Sequence, residues 1–139
     1  MPNITASIGI SQVKKLNKII EMRRRNATYM TEKLSKIGGI QPPNSPNGYF
    51  HIYQMYTIRI RDGKEVRDAL KNYLAEKGVM TKVYFPPVHL TRFYREKFGF
   101  KGGELPVTKK LAKQVLTLPM YPTLTTNEMD YITENIKLF

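Results

Sequence analysis

The stretch Tyr56-Thr-Ile-Arg-Ile-Arg61 alternates apolar and polar side chains. Such alternation predicts a β-strand with one face in the core and the other in water. We expect this strand to span 49–61, after a loop rich in proline and asparagine at 41–48. A strand wetted on one face is typical of an antiparallel sheet, so this stretch predicts a small, mostly antiparallel sheet.

A long helix is predicted on the amino-terminal side of this strand, from Ile4 to Lys36. Gly38 and Gly39 end the pattern. A helix of this length would span on the order of 50 Å, which exceeds the diameter of a small domain. Part of it is therefore expected to pack on something outside the core. Its apolar stripe repeats at intervals of three, four and seven residues: Val13, Leu16, Ile20, Ala27, Met30 and Leu34.

The remaining chain predicts four more helices and two extended segments. A second strand is expected at 79–85, closed by Pro86 and Pro87, and a short extended segment at 116–120. Thr125 and Glu128 form a capping-box pattern at the start of the last helix. The fold class is therefore α+β, a single domain over 1–139 with helices packed on one face of the sheet. The other predicted helices contain Val66, Leu70 and Leu74; His89 to Phe98; and Val107, Leu111 and Val115.

Composition excludes several kinds of site. The 139 residues include no cysteine, which excludes a disulfide framework, a thiolate zinc site and a cysteine nucleophile. The amino terminus has no signal-peptide pattern and no apolar run has the length of a membrane span, so we expect a cytoplasmic protein without a membrane partner. The net charge of +12 favours anionic partners, and it equally fits a basic protein whose lysines are solvated.

Two groups of residues are candidates for binding. The first follows the second predicted strand, where Tyr84 and His89 are joined by Arg92 and Tyr94. Arg92 can grip a phosphate by its fork geometry, and His89 can donate a hydrogen bond or move a proton. The alternative is a loop histidine that caps local backbone. The second group is His51 and Tyr53, which would share one strand face.

Other chemistries have little support in the sequence. Neither histidine has an acidic residue at metal-ligand spacing, so we expect no metal site. The sequence contains no P-loop, dinucleotide fingerprint or nucleophile elbow. The run Arg23-Arg-Arg25 can contact nucleic acid phosphates, but a solvated or interface-facing helix is the favoured interpretation, and a nucleic acid partner is not expected.

Four stretches carry a resemblance to a known family: residues 1–12, 51–59, 78–94, and 105–106 with 116–122. In this order they resemble the carboxy-terminal part of the DegT/DnrJ/EryC1/StrS family. Residues 1–12 are similar to the segment after the family's Asn-x-Arg, and 51–59 to its His-x-Tyr-x-x-Tyr strand. Residues 78–94 resemble the strand that ends in Tyr-x-Pro-x-x-His. Residues 105–106 with Leu116-Thr-Leu-Pro-Met-Tyr-Pro122 resemble its Leu-Pro-Met-Tyr-Pro signature. Met55 and Thr91 depart from the glutamines that are common in the family at these positions, which leaves specific sugar contacts open.

The resemblance implies the small domain of a fold-type I aminotransferase that depends on pyridoxal phosphate (PLP). His89, Tyr84, His51 and Tyr53 map onto substrate-binding positions, with Arg92 and Tyr94 beside them. No catalytic residue maps onto this chain, because the Schiff-base lysine of a Ser-x-His-x-x-Lys motif and the phosphate-binding Asn-x-Arg belong to a large domain that is absent. PLP is therefore expected in the full-length enzyme and not in this chain alone.

The resemblance also implies the reaction of the intact enzyme, in which an amino donor, usually glutamate, aminates a keto sugar carried by a nucleotide. Such reactions serve surface polysaccharide or amino-sugar biosynthesis. We expect the isolated chain to be inactive and to form a homodimer through its long amino-terminal helix. Two alternatives stay open: a regulatory or DNA-binding module, since some family members are described as pleiotropic regulators, or the small half of a split aminotransferase whose large domain is encoded separately.

Overall fold

Three short antiparallel strands form the centre of the fold, in a computed structural model that describes residues 2–139. The predicted α+β class and antiparallel sheet are confirmed. In chain order the elements are α1 (Asn3–Val13), α2 (Leu16–Leu34), β1 (Ile40–Gln41), β2 (Tyr56–Ile60), α3 (Lys64–Glu76), a 3-10 turn (Val88–Leu90), α4 (Arg92–Phe98), α5 (Pro106–Ala112), β3 (Val115–Leu118) and α6 (Thr126–Leu138).

The middle strand, β2, pairs with β1 on one side and β3 on the other. Tyr56, Ile58 and Ile60 are buried on its core face, and Thr57 and Arg59 lie on the partly exposed face. This is the predicted alternation. The strand is shorter than the predicted 49–61, because 49–55 forms a loop before it, and β1 was not predicted.

The core lies between one face of the sheet and three helices. Fully buried side chains contribute about 1.5–3 kcal/mol each to stability, so this layer carries most of the hydrophobic stabilisation. The periodic apolar positions of α3 and α6 were predicted from sequence. The buried contributors are Ala27, Met30 and Leu34 from α2, Leu70 and Leu74 from α3, Leu116 and Leu118 from β3, and Met129, Ile132 and Ile136 from α6.

The prediction of a single long helix over 4–36 is wrong, because this segment forms two helices, α1 and α2. The chain turns at Lys14 and Lys15, where the Lys15 amide donates to the Gln12 carbonyl (3.0 Å) and separates α1 from α2. No residue of α1 is buried, so this helix does not contribute to the core. Val13 and Leu16, expected on the apolar stripe, are 69% and 49% exposed. No helix within residues 2–139 has the length and apolar character needed to cross a membrane.

The prediction of a second strand over 79–85 is also wrong. Only Lys82 pairs with the sheet, through two backbone hydrogen bonds with Thr117 (3.0 and 2.8 Å). Pro86 and Pro87 lack amide hydrogens and cannot extend a ladder, so the chain leaves the sheet here. Val115, expected on the helix with Val107, lies instead at the start of β3.

The capping box at the start of α6 is confirmed. Thr125 Oγ1 accepts from the Glu128 amide (3.3 Å), and Glu128 Oε2 accepts from the Thr125 amide (2.8 Å). The hydrogen bond from the Thr125 backbone amide, with that of its hydroxyl, holds the pKa of Glu128 below its usual range. The start of α6 is thereby held at one wall of the cleft described next.

Candidate functional site

An open cleft of about 700 Å³ lies between the first half of α6, the loop after β3 and the segment 78–84. Its walls are mainly apolar and aromatic, with a few polar groups that converge on it. Ligand sites commonly have this character. Among the lining residues are Met80, Met120, Tyr84, Tyr121, Gln54 and Lys82.

Helix α2 positions two loops that border this cleft. A guanidinium nitrogen of Arg23 donates to the carbonyls of Tyr53 (3.1 Å), Gln54 (3.1 Å) and Met120 (3.0 Å). The buried Asn26 amide donates to the carbonyls of Tyr121 (3.1 Å) and Pro122 (3.2 Å). These five bonds satisfy loop carbonyls that no strand pairs, and they join the loop before β2 to the loop after β3.

Sequence reasoning missed these two positioning residues. Arg23 was expected to be solvated or to face an interface, and it instead binds backbone within the domain. A signal was present, because Arg23 and Asn26 are polar positions on an otherwise apolar helix stripe. A polar side chain on a core-facing stripe is expected to have hydrogen-bond partners there.

His51 and Tyr53 lie in the loop before β2, so the expected shared strand face is absent. His51 Nδ1 accepts from the Tyr53 amide (2.9 Å), and the two ring centroids are 4.3 Å apart. Tyr53 has a φ of 48°, a left-handed conformation that is uncommon outside glycine. Arg24 donates to the His51 carbonyl (2.7 Å). The pair therefore forms a tight turn attached to α2, and Tyr53 lines a separate depression with Arg24 and Phe50.

Tyr84 and His89 are five residues apart in sequence and differ in exposure. Tyr84 lines the 700 Å³ cleft and is 39% exposed. His89 lies in the 3-10 turn and is only 5% exposed, with its ring edge-on to Phe100 (centroids 5.7 Å apart). Its Nε2 is buried and has no hydrogen-bond partner within the described chain, so the alternative of a histidine that caps local backbone through Nε2 finds no support.

Arg92 and Tyr94 lie on α4, outside the cleft. Arg92 Nε pairs with Glu96 Oε1 (2.8 Å) on the exposed side of the helix, and the Tyr94 ring stacks on Phe98 (5.5 Å). The six predicted site residues therefore occupy three places. Tyr84 lines the cleft, His51 and Tyr53 lie against α2, and His89, Arg92 and Tyr94 surround the start of α4.

The residues that line this cleft do not fit a covalent site for PLP, the cofactor that the resemblance implies. Such a site needs a lysine for the Schiff base and groups that orient the cofactor. The lysine among the cleft's lining residues, Lys82, is exposed. The Glu128 carboxylate is already held by Thr125 and by the Tyr121 hydroxyl (3.1 Å). No group of three acidic, histidine or cysteine side chains in 2–139 can hold a metal ion.

The chain spans about a third of the length of the curated relatives described next. The chain is 36% identical over 127 residues to a Geobacillus stearothermophilus protein named "Pleiotropic regulatory protein", covering 89% of this chain and 33% of that protein. It is 31% identical over 139 residues to the GDP-perosamine synthase of Escherichia coli O157:H7, covering 100% of this chain and 36% of that one.

A solved structure with the same fold is the aminotransferase TlmJ from Streptoalloteichus hindustanus. It superposes with a TM-score of 0.85 at 28% identity, covering 96% of this chain and 35% of that one. Together with a family sequence model that matches residues 1–137, these findings show that the chain belongs to the DegT/DnrJ/EryC1/StrS aminotransferase family.

Proposed function

We propose that this chain is the small, substrate-covering domain of a PLP-dependent aminotransferase that acts on nucleotide-linked keto sugars, in surface polysaccharide or amino-sugar biosynthesis in the cytoplasm. The observation that carries this proposal is the family match over 1–137 in a chain that spans about a third of its relatives. Complete members of the family depend on PLP. In this proposal the cofactor and its lysine belong to a large domain, with an amino donor and the sugar as substrates.

The residues of this chain would then bind and orient the substrate. Tyr84 presents a phenol at the cleft, and His89 offers a buried nitrogen that lacks a partner. His51 and Tyr53 lie on the loop that Arg23 ties to the cleft rim, and Arg92 and Tyr94 extend the site toward α4. We assign positioning roles to Arg23 and Asn26, because their side chains bind backbone carbonyls of the loops that border the cleft and are not proposed to touch the substrate.

The isolated 139-residue chain is expected neither to retain PLP covalently nor to transaminate. After incubation with PLP and gel filtration, the protein fraction should lack the visible absorbance band of lysine-linked PLP. Glutamate-dependent amination of a nucleotide-linked keto sugar should be absent as well. The complete GDP-perosamine synthase serves as the positive control. A retained band or turnover by the isolated chain would contradict the proposal.

The decisive test of the positive claim is the complete protein. The DNA upstream of the Met1 codon is examined for an in-frame large domain with a Ser-x-His-x-x-Lys motif, and the longer polypeptide is assayed with glutamate and nucleotide-linked keto sugars. If the large domain is encoded separately, as in a split enzyme, it is expected to co-purify with this chain. Lack of amination by the assembled protein would refute the proposal.

A homodimer through the amino-terminal helix remains part of this proposal. The apolar side chains of α1 are uncovered, with Ile4 77%, Ile8 58% and Ile10 60% exposed. An uncharged helix with apolar side chains on all sides is seldom stable in water without a covering surface. Light scattering at high protein concentration is expected to show a dimer, and a monomer would count against it.

A regulatory or DNA-binding module is the second candidate, favoured by the net charge of +12 and by the name of the Geobacillus relative. Its test is the salt dependence of binding to duplex DNA. Phosphate contacts release counterions, so a true complex weakens steeply as salt rises. A slope near zero in log affinity against log salt would exclude this candidate.

A further inference from the structure

A depression of about 440 Å³ lies between the start of α3 and helix α5. It shares no lining residue with the 700 Å³ cleft. Four lysines surround it, and Glu65 is the one acidic residue among its lining side chains. Such a balance gives the depression a strong preference for an anion. The four lysines are Lys64 from α3, Lys109 and Lys110 from α5, and Lys113, which directly follows α5.

Three of these lysines are available to a ligand. Lys109 is partly buried and donates to the Gly102 carbonyl. By contrast, Lys64, Lys110 and Lys113 are exposed and take part in none of the ion pairs within residues 2–139. An anion that enters the depression can therefore reach their ammonium groups without displacing a carboxylate from any of them.

The lysines of α5 also repel one another. Lys113 follows Lys109 by four residues and Lys110 by three, and like charges at these spacings destabilise a helix. The helix itself, Pro106–Ala112, contains no acidic residue that could offset the repulsion. An anion held between these side chains removes part of this repulsion, which adds to the favourable free energy of binding.

The two walls of the depression are fixed relative to one another. Arg67 from α3 donates to two backbone carbonyls at the connection between α5 and β3 (both 3.2 Å). Gln114, a buried lining residue, accepts from Arg59 Nε (2.8 Å) and donates to the Arg61 carbonyl (3.0 Å). The backbone that carries the lysines is therefore held in place before a ligand arrives, which lowers the entropy cost of binding.

The lining residues also indicate the kind of anion. Lysine ammonium groups are point charges without the planar fork of arginine, so they select a ligand by its charge more than by its shape. None of the lining side chains is aromatic, so the depression offers no ring on which a base could stack. The phosphates of a DNA duplex follow one another along its outer surface and do not converge in so small a depression. These features favour a compact anion with several phosphoryl groups.

We propose that the depression formed by Lys64, Lys110 and Lys113 binds a linear triphosphate, either inorganic or as part of a nucleotide, through its phosphoryl groups alone. The proposal rests on the lysines and their surroundings and not on the proposed function. The ligand is distinct from the sugar substrate considered above, and its binding stabilises the folded domain by mass action.

The test titrates the 139-residue chain with inorganic triphosphate, ATP and inorganic phosphate in metal-free buffer, followed by calorimetry and by chemical shifts of the backbone amides. Triphosphate and ATP should bind with similar affinity, and at least about tenfold tighter than phosphate, because more negative charge faces the lysines. The shifts should centre on 63–66 and 106–114. The double variant Lys110→Gln/Lys113→Gln should weaken triphosphate binding by about tenfold, since two charge-assisted contacts are lost.

Two further variants sharpen the result. Glu65→Gln removes the carboxylate at the depression and should tighten triphosphate binding by about threefold. The matched control Lys15→Gln/Lys18→Gln removes two exposed lysines outside the depression and should change the affinity by less than about twofold.

Clear results would overturn the proposal. It fails if triphosphate leaves 63–66 and 106–114 unshifted, if phosphate binds as tightly as triphosphate, or if the control double variant weakens binding as much as Lys110→Gln/Lys113→Gln. Much tighter binding of ATP than of triphosphate would show that a base is recognised, and tighter binding of a short DNA duplex at the same residues would show an extended nucleic acid surface instead. None of these measurements needs PLP or a large domain, so this site and the proposed function stand or fall separately.

Discussion

Replacement of Arg67 by alanine is expected to lower the free energy of unfolding by about 3 kcal/mol. Arg67 projects from α3 and is only 4% exposed. One guanidinium nitrogen donates to the carbonyls of Ala112 and Val115 (both 3.2 Å), and Nε pairs with Asp68 (2.6 Å). In the alanine variant these two carbonyls, at the connection between α5 and β3, lack a donor. Loss of the buried aliphatic part of the Arg67 side chain also leaves a void.

Chemical denaturation measures this loss, and thermal melting should show a fall of about 10 °C for a chain of this size. Arg67→Met keeps the packing of the aliphatic part of the side chain and removes only the hydrogen bonds. It should therefore lower the free energy of unfolding by less than Arg67→Ala does. The control is Lys71→Ala on the exposed side of α3, which should change stability by less than about 0.5 kcal/mol. Equal stabilities of Arg67→Ala and Lys71→Ala would contradict the role of Arg67.

The stabilising effect of the Tyr56 hydroxyl is expected to reverse its sign at alkaline pH. Tyr56 is fully buried on β2, and its hydroxyl lies 2.7 Å from that of Thr31. Burial raises the pKa of Tyr56 to about 12, against an opposing effect of the Thr31 hydrogen bond. A folded-state pKa above the unfolded value means that the contribution is complete below about pH 10 and falls as the pH rises toward 12.

The measurement is the difference in unfolding free energy between wild type and Tyr56→Phe across this range. At pH 7 the wild type should be more stable by about 1 kcal/mol, through the Thr31 bond. The contribution then falls by about 2 kcal/mol between pH 10 and pH 12, so the phenylalanine variant should be the more stable protein near pH 12. The exposed Tyr49→Phe controls for loss of a tyrosine hydroxyl. A pH-independent difference for Tyr56→Phe would show that the hydroxyl does not titrate as proposed.

Elements whose signal is local were predicted well. The Tyr56–Ile60 alternation, the stripe of α3 and the capping box of α6 each depend on residues two to four apart. The missed features depend on distant partners. No residue of α1 packs in the core, and within 79–85 only Lys82 pairs with the sheet, through Thr117 on the distant strand β3.

The candidate site shows the same division. The residues with binding chemistry, His51, Tyr53, Tyr84 and His89, were identified from the sequence, and their roles remain predictions. Their arrangement was not identified, because His51 and Tyr53 lie in a turn and His89 is buried against an aromatic ring. Arg23 and Asn26 stand out in the sequence as polar positions on an apolar stripe, but their acceptors could not be identified from it, because these lie roughly 30 to 100 residues away in the chain.

Local pattern and motif order were enough to establish the α+β class, the antiparallel sheet and the family, because period-two and helical spacings and short signatures are properties of neighbouring residues. Tertiary structure alone showed which polar groups meet. Arg23 joins two loops, and Arg67 joins α3 to the distant connection between α5 and β3. Such encounters depend on how the chain closes over the sheet, and no spacing along the sequence encodes that closure.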